Sequence, residues 1–201
     1  MTDPDAVARR AHVGDAVAIA TLHRNGLPDS FLASLGMGFL TRLYRRVVRF
    51  EGSFVLVTGP ADSPDGFVAV AEHTGSLYRS FLVRDGLAAG VRAMPTVLRA
   101  PVRTWETFRY GARPPGPAAQ AEPVAEILAV AVAASSRGRG LGTALITSAL
   151  AEVQARGVRR VHVVTAADNV PAIAMYESAG FGPHATVEVH AGVEQVVLTW
   201  G

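Results

Sequence analysis

The sequence predicts an α/β protein: a central twisted sheet of mixed parallel and antiparallel strands, flanked by helices. Three observations point there. Short β-branched runs such as Ser53–Thr58 and Val158–Thr165 alternate with longer stretches whose apolar residues recur every three or four positions. The middle of the chain reads strand, glycine-rich turn, helix, from Pro123 to Arg156. The chain closes on two strand-like runs about Ala191-Gly192, and strands joined by a tight turn pair antiparallel.

The elements follow in order. Asp15 to Asn25 carries Val17, Ile19, Ala20 and Leu22, a first helix that Gly26 stops. Leu27-Pro28-Asp29-Ser30 starts a longer helix. Its Phe31, Leu32, Leu35, Phe39, Leu40, Leu43 and Val47 share one face, and Arg42, Arg45, Arg46 and Arg49 mostly take the other. Gly36 and Gly38 weaken it locally. Ser53–Thr58 and Gly66–Glu72 form a hairpin around Gly59-Pro60 and Pro64-Asp65-Gly66. Pro123–Val132 is the next strand, and Leu141, Leu145, Ala149 and Val153 mark the buried stripe of a helix ended by Gly157. Val158–Thr165 reads as a strand, Val170–Ala179 as a helix, and Phe181–His190 with Glu194–Trp200 as the last hairpin.

Composition sets limits on function. With 201 residues and 49% hydrophobic content, one domain spanning residues 1–201 can bury a substantial core. The absence of cysteine excludes disulfides and thiolate chemistry, and no histidine spacing suits a metal, so no metal is expected. A net charge of +2 argues against a nucleic-acid protein, and the all-arginine basic set reflects composition rather than function. The start, Met1-Thr-Asp-Pro-Asp, leads into no signal-like apolar core, and no apolar run approaches the roughly 18 residues needed to span a bilayer. A cytoplasmic protein with no membrane partner is the expectation; the oligomeric state stays open, with a homodimer among the options.

The stretch Ser135-Ser-Arg-Gly-Arg-Gly-Leu-Gly-Thr143 is the most informative segment. A glycine-rich turn between strand and helix exposes backbone N–H groups at the positive end of the helix, a natural anion site. Arg137 and Arg139 add charge, and Gly138, Gly140 and Gly142 permit close approach. A Walker loop would need a lysine, and the chain has none; a Rossmann fingerprint would need a different third glycine spacing and an acid about 20 residues on.

The pattern Arg137-x-x-Gly140-x-Gly142, with Val132 five residues before Arg137, resembles the acetyl-CoA loop of the GNAT (GCN5-related) N-acetyltransferase family, although Ala134 stands where a proline is frequent. Asn169-Val-Pro-Ala-Ile-Ala-Met-Tyr176, followed by Gly180-Phe181, resembles the family's later motif. The resemblance covers roughly residues 124 to 182. It implies a GNAT-like fold, a first strand near His12, and transfer of an acetyl group from acetyl-CoA to a primary amine. It implies main-chain contacts to the pantetheine arm from Val130 and Val132, and pyrophosphate contacts from Arg137, Gly138, Arg139, Gly140, Leu141, Gly142 and Thr143. Asn169 would orient that arm or the catalytic helix. Tyr176 would protonate the departing thiolate, since a phenol with a pKa near 10 stays a donor at neutral pH. Glu126 would serve as general base, as a glutamate does in one branch of the family; it lies six residues before Val132, with the same side-chain parity on an unbroken strand. Glu72 and His73 are competing candidates.

About 50 residues separate the third and fourth strands, where the family needs only a short connection. The insert, residues 76–120, reads as helical around Leu77, Tyr78, Phe81 and Leu82, with further pieces at 87–98 and 102–110 broken by Pro95 and Pro101, then a proline-rich loop. Arg79, Arg84, Arg92, Arg99, Arg103, Arg109 and Arg113 against Asp85 and Glu106 give it a net +5. It is expected to wall the acceptor site and to favour a small-molecule acceptor with an anionic group near its amine. A noncatalytic acyl-CoA-binding regulatory module is the alternative from another class.

Overall fold

In the computed structural model the described residues are 8–85, 124–190 and 193–201. The order is β1 (Arg9–Arg10), α1 (Ala16–Gly26), α2 (Phe31–Ser34), α3 (Met37–Arg49), β2 (Ser53–Thr58) and β3 (Gly66–Ala71). Next comes α4, helical over residues 74–85. Then follow β4 (Val124–Val132), α5 (Leu141–Ala155), β5 (Arg160–Ala166), α6 (Val170–Ser178), β6 (Gly182–His190) and β7 (Val193–Trp200). The strands form one seven-stranded sheet in the order β1-β2-β3-β4-β5-β7-β6. The β4–β5 pairing is parallel and all others are antiparallel, as the mixed pattern predicts.

One expectation changes and others are located. The single helix predicted from Pro28 onward is two, because Gly36 takes φ +86°, a left-handed conformation that ends α2 and starts α3. Ser30 caps α2 by accepting from the Ala33 N–H at 3.2 Å. The first strand lies at Arg9–Arg10, opposite Val57 and Leu56, while His12 opens a short 3₁₀ turn. Of the insert, α4 is as expected, with Leu77 and Phe81 fully buried. The pieces at 87–98 and 102–110 and the proline-rich loop lie outside the described residues.

The sheet separates two cores. On one face α1, α3 and α4 pack Ile19, Leu40, Leu77 and Phe81 onto Phe67, Ala69 and Ala131; on the other, α5 and α6 pack Leu145, Ile146 and Tyr176 onto Val68, Ile127 and Val163. Two features of β4 position the site. Ala129 faces Ala69 while Ile127 faces Val70, so Leu128 is an extra residue in a β-bulge. β4 also pairs with β5 only over Val124–Glu126 against Arg160–His162. Beyond that rung the two strands no longer pair, although β5 keeps β7 on its other edge through Ala166, and the edges of 127–132 and 163–166 diverge into a wedge.

Candidate active site

The anion loop follows directly from its glycines. Gly138 and Gly140 have φ of +72° and +77°, and a Cβ at either would meet nothing within 4 Å, so both turn their backbone toward open space. Gly140 ends the turn and opens α5. Among the described residues, the N–H groups of Gly138, Gly140, Leu141, Gly142 and Thr143 donate to no carbonyl, as the first turn of a helix dictates. The arrangement suits the pyrophosphate predicted for it. Gly142 also serves packing, because a Cβ there would collide with Met175 Sδ; this glycine lets α5 and α6 approach. Arg137 is exposed, and its Nε donates to the Val132 carbonyl at 3.3 Å. Thr143 Oγ1 meets Ser178 Oγ at 3.1 Å, tying the loop helix to α6.

Asp65, unremarked in the sequence, anchors this loop. Its carbonyl accepts from Ala133 N–H at 2.7 Å, and its Oδ1 accepts from the buried Ser136 hydroxyl at 2.5 Å. The β2–β3 turn thus holds the end of β4 and the start of the loop in one place.

Val130 and Val132, expected to contact the pantetheine arm, lie on the part of β4 beyond its pairing with β5, opposite Val68 and Gly66 on their paired side. Asn169 is the N-cap of α6: its Oδ1 accepts from Ala172 N–H at 3.3 Å, and its Nδ2 donates to Thr165 Oγ1 at 3.5 Å. As that cap it satisfies a backbone N–H of the first turn of α6. That helix carries Tyr176, 5% exposed and edge-on to Phe181 at 5.6 Å. Burial pushes the Tyr176 phenol up, and its hydroxyl has no hydrogen-bond partner among the described residues. Such a group remains a proton donor.

Glu126 stands on the last paired rung before the wedge, opposite His162. The bulge at Leu128 reverses the parity expected from sequence, so Glu126 and Val132 sit on opposite faces. Val132 packs toward Gly142 and the α5 side, whereas Glu126 meets Thr74 and Tyr78 of α4. The Glu126 side chain is 18% exposed. Burial raises its carboxyl from 4.5 to about 7, opposed by hydrogen bonding from Thr74. A carboxyl with that affinity, open to one side, is suited to accept a proton near neutrality. The competing bases fare differently. Glu72 is tied at 2.9 Å to Arg156, which caps the C-terminus of α5, and His73 is exposed two residues beyond β3.

Glu126 and Tyr176 approach the wedge from opposite faces of the sheet. Sequence reasoning also passed over His162, Thr74 and Tyr78. The apolar alternation around His162 was a signal for a strand, but which residue faces Glu126 depends on a parallel register that one sequence does not display.

The comparisons agree with this geometry. Residues 102–181 match the family model described as Acetyltransferase (GNAT) family. A mycothiol acetyltransferase from Corynebacterium urealyticum is 38% identical over 73 residues, 36% of this chain and 22% of that protein. The chain thus spans only about a fifth of the length of such curated relatives. Arabidopsis thaliana NAA60, solved in complex with acetyl-CoA, superposes with a TM-score of 0.61 at 15% identity, covering 96% of this chain and 97% of its own. The aminoglycoside acetyltransferase AAC(6')-Ib, solved with coenzyme A, gives 0.62 at 17%, covering 96% and 92%. At these identities the likeness is one of fold. No helix among the described residues is long and apolar enough to cross a membrane. Residues 102–181 thus carry the match to the GNAT acetyltransferase family, and the described fold is the one these GNAT structures share.

Proposed function

We propose that the protein is an acetyl-CoA-dependent N-acetyltransferase acting on a primary amine of a small molecule. One observation carries the reading: the wedge between β4 and β5 opens at Glu126, and the same strand runs on into the anion loop. A thioester lying along β4 with its pyrophosphate on the loop would bring its acyl end to the carboxylate. The amine would approach from the α4 face. Acetyl-CoA is here a substrate, and no metal is invoked.

The bonds balance simply. Glu126 takes one proton from the ammonium form of the acceptor. The neutral nitrogen bonds to the thioester carbon, and the oxyanion is held by β4 main-chain N–H groups. Collapse breaks the C–S bond. Tyr176 gives its proton to the thiolate and recovers one from the substituted nitrogen. The proton on Glu126 leaves to solvent, so amide, free CoA and one proton result.

One residue of the insert supports its predicted place. Tyr78 lies by Glu126, beside Thr74 from the start of α4, while Arg79 and Arg84 lie on the exposed face of that helix. If the basic insert favours an anionic acceptor, exchanging Arg103 for glutamate is expected to raise the acceptor's KM rather than that of acetyl-CoA.

The decisive experiment is CoA release from acetyl-CoA across a panel of primary amines, read with a thiol reagent. The chain contains no cysteine, so the protein adds no background. Release dependent on one amine class supports the reading. Tight acetyl-CoA binding with no release from any amine would point instead to the regulatory acyl-CoA-binding module.

A further inference from the structure

Four polar side chains from three elements converge at the apex of the wedge: Glu126 from β4, His162 from β5, and Thr74 and Tyr78 from α4. Glu126 and His162 are partners in register, so their side chains stand side by side. His162 Nε2 lies 3.8 Å from Glu126 Oε2, with side chains 15% and 18% exposed. The other ring nitrogen, Nδ1, is sealed from solvent and makes no hydrogen bond among the described residues. The ring has the Ala125 backbone as a further hydrogen-bonding neighbour, and Nε2 is the nitrogen that faces the carboxylate.

We infer that His162 is a positioning residue for Glu126: its Nε2–H donates to Oε2, holding the carboxylate ionised and aimed into the wedge. The role rests on Glu126 being the base. Contacts of this kind shorten as the reacting complex assembles. The surroundings leave His162 much to do. Burial opposes the charge on Glu126, with only the Thr74 side chain helping; Tyr78 is another acid, and its neighbouring charge is the Glu126 carboxylate itself. Burial likewise keeps the His162 ring neutral, reinforced by His184 and opposed by the Ala125 backbone. No arginine contributes to either group. A neutral imidazole donating one hydrogen bond is therefore the partner that steadies the ionised base.

The test follows kcat/KM against pH in His162→Leu and His162→Gln, with acetyl-CoA and whichever of tyramine, spermidine or ethanolamine releases CoA fastest. The leucine variant should move the acidic limb up by about one pH unit, the worth of one lost hydrogen bond, with acetyl-CoA affinity unchanged. Glutamine places an N–H donor near the lost Nε2 and should return the limb toward the wild-type position. A leucine variant with the wild-type limb overturns the proposal. Should that variant not fold, NMR titration of the His162 ring in wild type and Glu126→Gln decides. Removing the carboxylate should lower the ring pKa, and an unchanged titration overturns the pairing. The outcomes also separate the two readings. If Glu126→Gln keeps its acidic limb, the base assignment fails and the positioning role falls with it. If Glu126→Gln loses the limb but neither His162 variant nor ring titration moves, only the pairing falls.

Discussion

The two faces of the sheet are built on opposite plans. The face under α5 and α6 is almost wholly apolar and carries the local motif, the glycine loop, at its edge. The face under α1, α3 and α4 buries His23, Tyr44, Tyr78 and Glu126 among its apolar residues. The proposed anion site is thus one short stretch of chain. The side chains around the proposed base come from three separate elements, β4, β5 and α4. Tyr176 is the exception, a buried titratable group on the apolar face, and it is the one the proposed mechanism uses as an acid.

The largest expected effect breaks the polar face. Glu126→Gln should lower turnover at neutral pH by about 10²–10⁴-fold, the usual worth of a general base. The wild-type rate should fall with acid below about 7, where Glu126 takes up its proton. In the variant that acidic limb should vanish, with rate recovering at high pH as the amine loses its own proton. A pH–rate profile identical to wild type would remove Glu126 from the chemistry.

Tyr176→Phe probes the exception, and a smaller effect is expected. A thiolate is already a fair leaving group, since thiols ionise near pH 8.5, so the loss should sit near the lower end, about 10²-fold in kcat. Acetyl-CoA affinity by calorimetry should not change. Unaltered turnover, under conditions where chemistry limits the rate, would make Tyr176 a packing residue against Phe181.

Gly140→Val then tests the local motif. Valine is strained at φ +77° and would fill the open space the loop faces. Losing one or two charge-assisted N–H contacts should weaken acetyl-CoA by about 10- to 100-fold, with the fold kept. Equal affinities would show that the loop does not hold the cosubstrate.

The contrast between faces also explains what the sequence could show. The loop, the stripe Leu141-Leu145-Ala149-Val153 and the cap at Asn169 are local, each legible from spacing and residue type. The parity of Glu126 was not, because a bulge at Leu128 leaves no mark in a run of Leu, Ala and Val. Nor was the clamp from Asp65 to Ser136, whose partners are 71 residues apart. The break at Gly36 was half visible: two glycines weaken a helix, but which one adopts positive φ depends on packing around Leu35 and Phe39.

The smallest effect is on stability, and it concerns only the polar face. His23 is 2% exposed, bonded to Tyr44 Oη at 2.6 Å and Ser30 Oγ at 3.1 Å, and burial lowers its pKa from 6.5 to about 4. Its folded form resists protonation, so stability falls as pH drops from about 6.5 toward 4, by about 3 kcal/mol in all and about 1 kcal/mol between pH 7.5 and 5.5. Glu126 acts in the opposite sense. Its carboxyl is raised to about 7, so the stability it adds is fully present below pH 4.5 and is lost as pH rises through 7. Over the shared window the two slopes oppose each other, and the wild-type stability should vary little between pH 5 and 6.5. Each substitution should unmask the other group. Denaturant unfolding of Glu126→Gln should show stability falling with acid, and His23→Gln should show it rising. Parallel profiles for wild type and both variants would mean that these two groups are not buried in the way that gives this face its chemistry.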